Sequence, residues 1–116
     1  MSIKETVKAL TALRGISGQE DNVRAYLEAA VKGHCEAALT DPLGNLIVTK
    51  KGSKTPSKKL VLSAHMDEVG FIVTRIEDDG LLCFCNVGGI MPAVTGARPV
   101  LVGDDELNGV IGMKPI

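Results

Sequence analysis

Leu60-Val61-Leu62-Ser63-Ala64-His65-Met66-Asp67-Glu68 is the stretch that decides the fold. Residues 60–64 are apolar or small without alternation, the pattern of a strand covered on both faces, as in a helix-flanked sheet. The chain turns polar at His65. His65 and Asp67 stand two apart, so in extended backbone both side chains point to the same side. In that geometry an imidazole nitrogen can bind a divalent metal while the carboxylate accepts the other ring N–H, fixing the tautomer and orientation of the ligand. The end of an interior strand is also where α/β folds place their ligands. The same spacing equally suits a hydrogen-bonded pair that merely closes a strand, and spacing alone leaves both readings open.

Toward the N-terminus the grammar is helical. Ile3, Val7, Leu10 and Leu13 mark a stripe at spacings of three and four that runs to Arg14. Ser2 and Glu5 form a capping box at its start and Gly15 suits its end. A second Ser-x-x-Glu pair, Ser17 and Glu20, then precedes Val23, Leu27, Ala30 and Val31, with Gly33 as the stop. This predicts two helices joined by a short turn. Residues 34–40 are a strand candidate, Asp41-Pro42-Leu43-Gly44-Asn45 reads as a tight turn, and residues 46–50 as a strand. The lysine-bearing stretch 51–59, with Gly52 and Pro56, reads as a solvated polar loop.

Toward the C-terminus no helical pattern survives. Residues 69–76 and 81–87 are β-rich runs separated by Glu77-Asp78-Asp79-Gly80, and Asp-Gly is a hairpin signal. Residues 99–102 and 110–113 read as another strand pair around a turn at 104–109. The change of grammar sets a boundary near Glu68. Helices and strands lie before it, antiparallel β after it, in an α/β chain.

The composition, 45% hydrophobic and 23% charged over 116 residues, is that of one modest globular unit. A net charge of −1 gives no electrostatic reason to expect nucleic acid or an anionic membrane as partner. No apolar run approaches the roughly 20 residues that span a bilayer, and Met1 to Glu5 lacks the apolar core of a signal peptide, so a cytoplasmic location is expected. Cys35, Cys83 and Cys85 are an odd set, unlike a secreted disulfide framework. Cys83-x-Cys85 on a strand is read as buried thiols acting as small hydrophobes, because a structural zinc site wants four ligands. His34, the other histidine, falls at a helix exit, where a dipole contact or solvation suits it better than metal binding.

Five motifs occur in order along nearly the whole chain: Ser17-Gly18-Gln19-Glu20, Asp41-Pro42-Leu43-Gly44-Asn45, Ala64-His65-Met66-Asp67-Glu68-Val69-Gly70-Phe71, Val87-Gly88-Gly89-Ile90 and Gly109-Val110-Ile111-Gly112. Together they resemble the glutamyl and tetrahedral aminopeptidases, cytoplasmic metallopeptidases with two metals per active site. The resemblance implies that His65 is a ligand of one metal and Asp67 the carboxylate that orients it, taking part in catalysis through that ligand. Glu68 matches the pattern as a polar contact at the mouth of the site, and Asp41, Gly44 and Asn45 match a structural turn. It implies two divalent ions, zinc or cobalt, a peptide substrate and self-assembly into a homo-oligomer, with no nucleic acid or membrane partner.

The resemblance further implies that residues 1–68 are the N-terminal part of an α/β catalytic domain, the start of a helix-flanked sheet. Residues 69–116 would begin an inserted antiparallel β domain used in assembly. The family's bridging carboxylate, general base and remaining ligands have no counterpart in these 116 residues. A two-metal site needs both ions, an activated water and a base, so the chain reads as the front third of an aminopeptidase and as inactive alone. A different class of function, a non-catalytic β-rich interaction module, accounts for the same strands, whose exposed edges favour pairing with another chain. Some relatives carry glucanase names. With no tryptophan and one tyrosine this stretch offers sugars little aromatic stacking. A strand patterned for two covered faces should leave the isolated chain exposing apolar surface, and so prone to self-association or dye binding.

Overall fold

In a computed structural model, which describes residues 2–53 and 58–113, the element order is α1 (Ile3–Leu10), α2 (Asp21–Val31), β1 (Ala37–Thr40), β2 (Leu46–Thr49), β3 (Gly70–Ile76), β4 (Leu82–Val87), a 3-10 turn (Pro92–Val94), β5 (Pro99–Val102) and β6 (Leu107–Val110). Helix and antiparallel strand are mixed as expected for an α/β chain. Part of the predicted 51–59 loop, including Pro56, lies outside the described residues.

α1 starts where its sequence says. The Glu5 N–H donates to Ser2 Oγ at 3.3 Å and the Ser2 N–H to Glu5 Oε2 at 2.7 Å, a complete capping box. It ends earlier than Gly15. Thr11 Oγ1 donates back to the Val7 carbonyl at 2.9 Å, and Ala12 and Leu13 make i→i−3 bonds to Ala9 and Leu10, so the last turn tightens and stops. α2 does not start on Ser17. Its N-cap is Glu20, with no side-chain cap bond, and Ser17 and Gly18 form a turn closed by Gln19 N–H to the Ile16 carbonyl at 2.8 Å. Gly18 takes φ +88°, which a residue inside a regular helical entry does not. The predicted capping box at Ser17 is therefore corrected: the Ser17 hydroxyl bonds to Asp67 instead. α2 ends at Val31, and Gly33, just past its C-cap Lys32, takes the left-handed φ expected of the predicted stop.

Among the described residues the strands form three two-stranded antiparallel sheets, β1–β2, β3–β4 and β5–β6. The β1–β2 turn is organised by Asp41, whose Oδ1 accepts from the Leu43 and Asn45 N–H groups and whose Oδ2 accepts from Asn45 Nδ2, each at 2.9 Å. α2 is tied to this hairpin by Arg24 Nη1 to the Gly44 carbonyl (2.8 Å) and Thr40 Oγ1 to Glu28 Oε1 (2.9 Å). The β3–β4 hairpin turns at Glu77-Asp78-Asp79-Gly80 as predicted and carries a bulge between Val73 and Arg75. β6 pairs three residues earlier than expected, with Val110 opposite Pro99 and Leu107 opposite Val102. Asn108 and Gly109 look like turn residues, yet they pair, and a side chain at Gly109 would press on Val100 Cγ2 and Val102 Cγ2 at 3.2 Å, so glycine suits the close packing there.

Two expectations of burial fail for one reason. Residues 60–64 join no sheet, and Leu60, Val61 and Leu62 are 81–88% exposed, so the predicted doubly covered strand is uncovered here. Cys83 is half-buried and Cys85 exposed, so these thiols are not core hydrophobes. Among the described residues, no second layer lies over either element. Among the described residues the buried apolar side chains are Val23 and Ile111. The radius of gyration, 19.0 Å, exceeds the roughly 13 Å of a compact chain of this size.

Candidate metal-ligand site

The site is held by a contact between two stretches far apart in sequence. The turn between α1 and α2 meets residues 66–70 through a parallel bridge of Ile16 with Glu68, and the Glu68 N–H donates to the Gly15 carbonyl at 2.8 Å. The approach is close enough to require glycine at position 70, where a Cβ would collide with Ile16 Cγ2, while a Cβ at Gly15 would press on Val23 Cγ2 of α2 at 2.9 Å.

On this strap the predicted pair comes together. His65 Nδ1 lies 2.9 Å from Asp67 Oδ1 and 2.9 Å from the Asp67 carbonyl oxygen. Both are acceptors, so Nδ1 carries the proton and donates, leaving Nε2 as the ring atom able to bind a metal. The other carboxylate oxygen, Asp67 Oδ2, accepts from Ser17 Oγ at 2.5 Å. The Ser17 hydroxyl and, next, the His65 ring N–H hold the Asp67 carboxyl below the ordinary carboxylate range. Asp67 is thus favoured as the anion, the form that accepts from both donors.

The His65 ring is 84% exposed and faces open space. Two cavities adjoin the segment. One of about 350 Å³ is lined by the segment together with Leu10, Leu13, Val23, Leu27 and Glu68. A smaller one, about 160 Å³, is lined by His65, Asp67, Glu20 and Asn45. His34 stands apart and exposed, just beyond α2.

His65 and Asp67 fit one ligand position of a divalent-metal site: an oriented neutral imidazole with a fixed tautomer. Among the described residues, no three His, Cys, Asp or Glu side chains gather as a metal cluster. The structure brings together His65 and Asp67, which the sequence singles out, and adds Ser17, which the Ser-x-x-Glu spacing assigns to a helix cap. The signal for its true position was Ser17-Gly18, a turn dipeptide that places the serine before the helix.

Comparison with known proteins finds relatives along almost the whole of this chain. The chain is 37% identical over 98 residues to glutamyl aminopeptidase of Lactococcus lactis, an alignment that takes in 84% of this chain and 28% of that one. Among solved structures it resembles an endoglucanase from Thermotoga maritima (45% identity, TM-score 0.84, covering 93% of this chain and 34% of that one). It also resembles the TET1 peptidase of Pyrococcus horikoshii, which can assemble into a tetrahedron or a large octahedral shell (36% identity, TM-score 0.82, covering 99% and 34%). The chain spans between a quarter and a third of the length of the curated relatives it matches most strongly. The M42 glutamyl aminopeptidase family matches residues 44–116, and with relatives that align along almost all of the chain, this places it in that family.

Proposed function

We propose that this chain is the N-terminal part of a metal-dependent aminopeptidase that removes N-terminal residues from peptides, and that it is inactive alone. The observation that carries the reading is the bond from His65 Nδ1 to Asp67 Oδ1, 2.9 Å long, on a segment strapped to the α1–α2 turn. His65 Nε2 serves as a ligand to one of two divalent ions, zinc or cobalt, and Asp67 holds the ring in place. Such ions, when bound, supply an activated water and a polarised carbonyl. The chain's own residues orient the ligand, fix its proton on Nδ1 and keep the carboxylate ionised. The remaining ligands and the general base come from further chain.

Residues 1–68 belong in this reading to the catalytic domain and residues 69–116 to an inserted assembly domain. Both α-helices precede Glu68, and the strands β3 to β6, with the 3-10 turn, lie beyond it. A homo-oligomer is supported by the assemblies of the Pyrococcus neighbour. A cytoplasmic location accords with the odd set of free cysteines, and no helix among the described residues is long and apolar enough to cross a membrane. A peptide is favoured over a glucan because Tyr26 and two phenylalanines are all the aromatic surface present.

The test is a chimera in which residues 1–116 replace the matching part of the lactococcal enzyme, assayed on aminoacyl p-nitroanilides with cobalt or zinc. The chimera should hydrolyse the anilide. His65→Ala should remove activity and lower the metal bound per subunit. Full activity in His65→Ala would sink the ligand assignment, and turnover by the 116-residue chain alone would sink the claim that it needs further chain.

A further inference from the structure

We infer that Ser17 is a positioning residue that sets the tautomer of His65 by locking the Asp67 carboxylate from outside the metal-ligand segment. Ser17 and Asp67 lie 50 positions apart in the chain. Asp67 Oδ1 accepts from His65 Nδ1 at 2.9 Å and Oδ2 accepts from Ser17 Oγ at 2.5 Å, so the two oxygens are used by two different donors. Among the described residues, Ser17 is the side chain from another element that bonds this carboxylate.

A carboxylate held by the imidazole alone can turn about its Cβ–Cγ bond and draw the ring with it, and the ring's other acceptor, the Asp67 carbonyl oxygen 2.9 Å from Nδ1, belongs to the same segment. Restraint from elsewhere is scarce here: residues 60–64 lie in no sheet, and the His65 side chain is 84% exposed. The hydroxyl supplies it from a rigid anchor. Its backbone sits in the Ile16–Gln19 turn, closed by the 2.8 Å bond of Gln19 N–H to the Ile16 carbonyl, and that turn is pinned to Glu68 by a second bond of 2.8 Å to Gly15. Ser17 therefore reaches Asp67 with its own backbone already fixed, the condition under which an outer hydrogen bond orients a ligand.

The first experiment reads the ring directly and needs no metal. Long-range ¹⁵N–¹H spectra of the 116-residue chain, at a pH where His65 is neutral, report which ring nitrogen carries the proton. Wild type should show the Nδ1–H tautomer in excess. Ser17→Ala should shift the population toward Nε2–H, which free imidazole side chains favour, and Ser17→Thr, which keeps the hydroxyl, should restore it. Ser17 is exposed, and an unchanged far-ultraviolet circular dichroism spectrum should show that neither variant unfolds the chain. An unshifted tautomer in Ser17→Ala overturns the inference. So does a shift that threonine fails to reverse, which would trace to packing in the turn.

The second experiment rests on the aminopeptidase reading. In the chimera, Ser17→Ala should weaken cobalt affinity, measured by chelator competition, by about 10-fold, the low end of what outer hydrogen-bond partners contribute. Unchanged affinity overturns the metal-directed role. A wild-type chimera that binds no metal overturns the proposed function while the tautomer measurement still decides the role of Ser17.

Discussion

The β3–β4 hairpin and residues 60–64 are neighbours in sequence and comparably apolar, but they end in opposite states. Gly70 to Ile76 pairs along its length with Leu82 to Val87, and Phe71 meets Phe84 edge-on with ring centroids 4.8 Å apart. Leu60, Val61 and Leu62 have no strand beside them and are more than four-fifths exposed. The difference is the distance to the partner. A hairpin brings its own second strand across a short turn, whereas a doubly covered strand needs neighbours that arrive from elsewhere. In relatives three to four times as long, there is ample chain to provide them. The apolar pattern of 60–64 is in this view a requirement for cover that residues 2–53 and 58–113 leave unmet.

The largest expected effect tests that view. The isolated chain should bind a hydrophobic dye such as ANS or self-associate, because 60–64 offers contiguous apolar surface. Leu60→Lys with Leu62→Lys should abolish much of that binding and change the stability of the isolated chain by no more than about 0.5 kcal/mol, as for other exposed positions. In the chimera the same pair should cost roughly 3–6 kcal/mol by chemical denaturation, since each leucine buried is worth about 1.5–3 kcal/mol. Equal, small effects in both settings would erase the contrast and make 60–64 an ordinary exposed segment.

The same contrast explains what could be read from residue order. Ser2 with Glu5, Gly33, Asp41 to Asn45 and Glu77 to Gly80 all act on residues within four positions, and each does locally what its chemistry predicts. The misreadings sit where a distant partner decides. Ser17 has the right spacing from Glu20 to cap α2, yet its hydroxyl is taken by Asp67, 50 residues away. Gly109 resembles a turn residue until the side chains of Val100 and Val102 fill the space beside it. The end of α1 is a smaller difference, decided by a threonine hydroxyl competing for the Val7 carbonyl. For the site, spacing exposes the His65 and Asp67 pair because two residues in an extended chain share a face. It cannot expose Ser17, whose place depends on the Ile16 and Glu68 bridge.

A middle-sized effect tests whether the hairpin is as self-sufficient as its local partners suggest. Phe71→Ala removes the edge-on pair, worth about 0.5–1.5 kcal/mol beyond the area it buries. Amide exchange across β3 and β4 should accelerate by up to about 10-fold, the equivalent of roughly 1.4 kcal/mol. Exchange at β1 and β2 should stay unchanged. Acceleration in both hairpins would mean that the β pairs share stability through contacts beyond their own turns, which would blur the local side of the comparison.

The smallest effect concerns the turn that is most completely local. The Asn45 side chain and then its backbone N–H, with the Leu43 and Gly44 N–H groups, lower the Asp41 carboxyl below its ordinary value of 3.8. A carboxyl whose folded value is depressed favours the folded turn above the unfolded value and loses that preference as pH falls through the folded one. The β1–β2 turn should therefore keep its Asp41 hydrogen bonds down to below pH 3.8 and release them only in stronger acid. Asn45→Ala removes the leading donor, so the Asp41 titration, followed by carboxyl ¹³C shifts, should move upward toward 3.8. Asp67 should titrate as before, because its two donors, Ser17 and His65, belong to the other kind of contact. Movement of Asp67 in Asn45→Ala would show that the turn and the strap communicate, most directly across the small cavity that Asn45 and Asp67 both line, and the local and distant contacts would then have to be treated as one network.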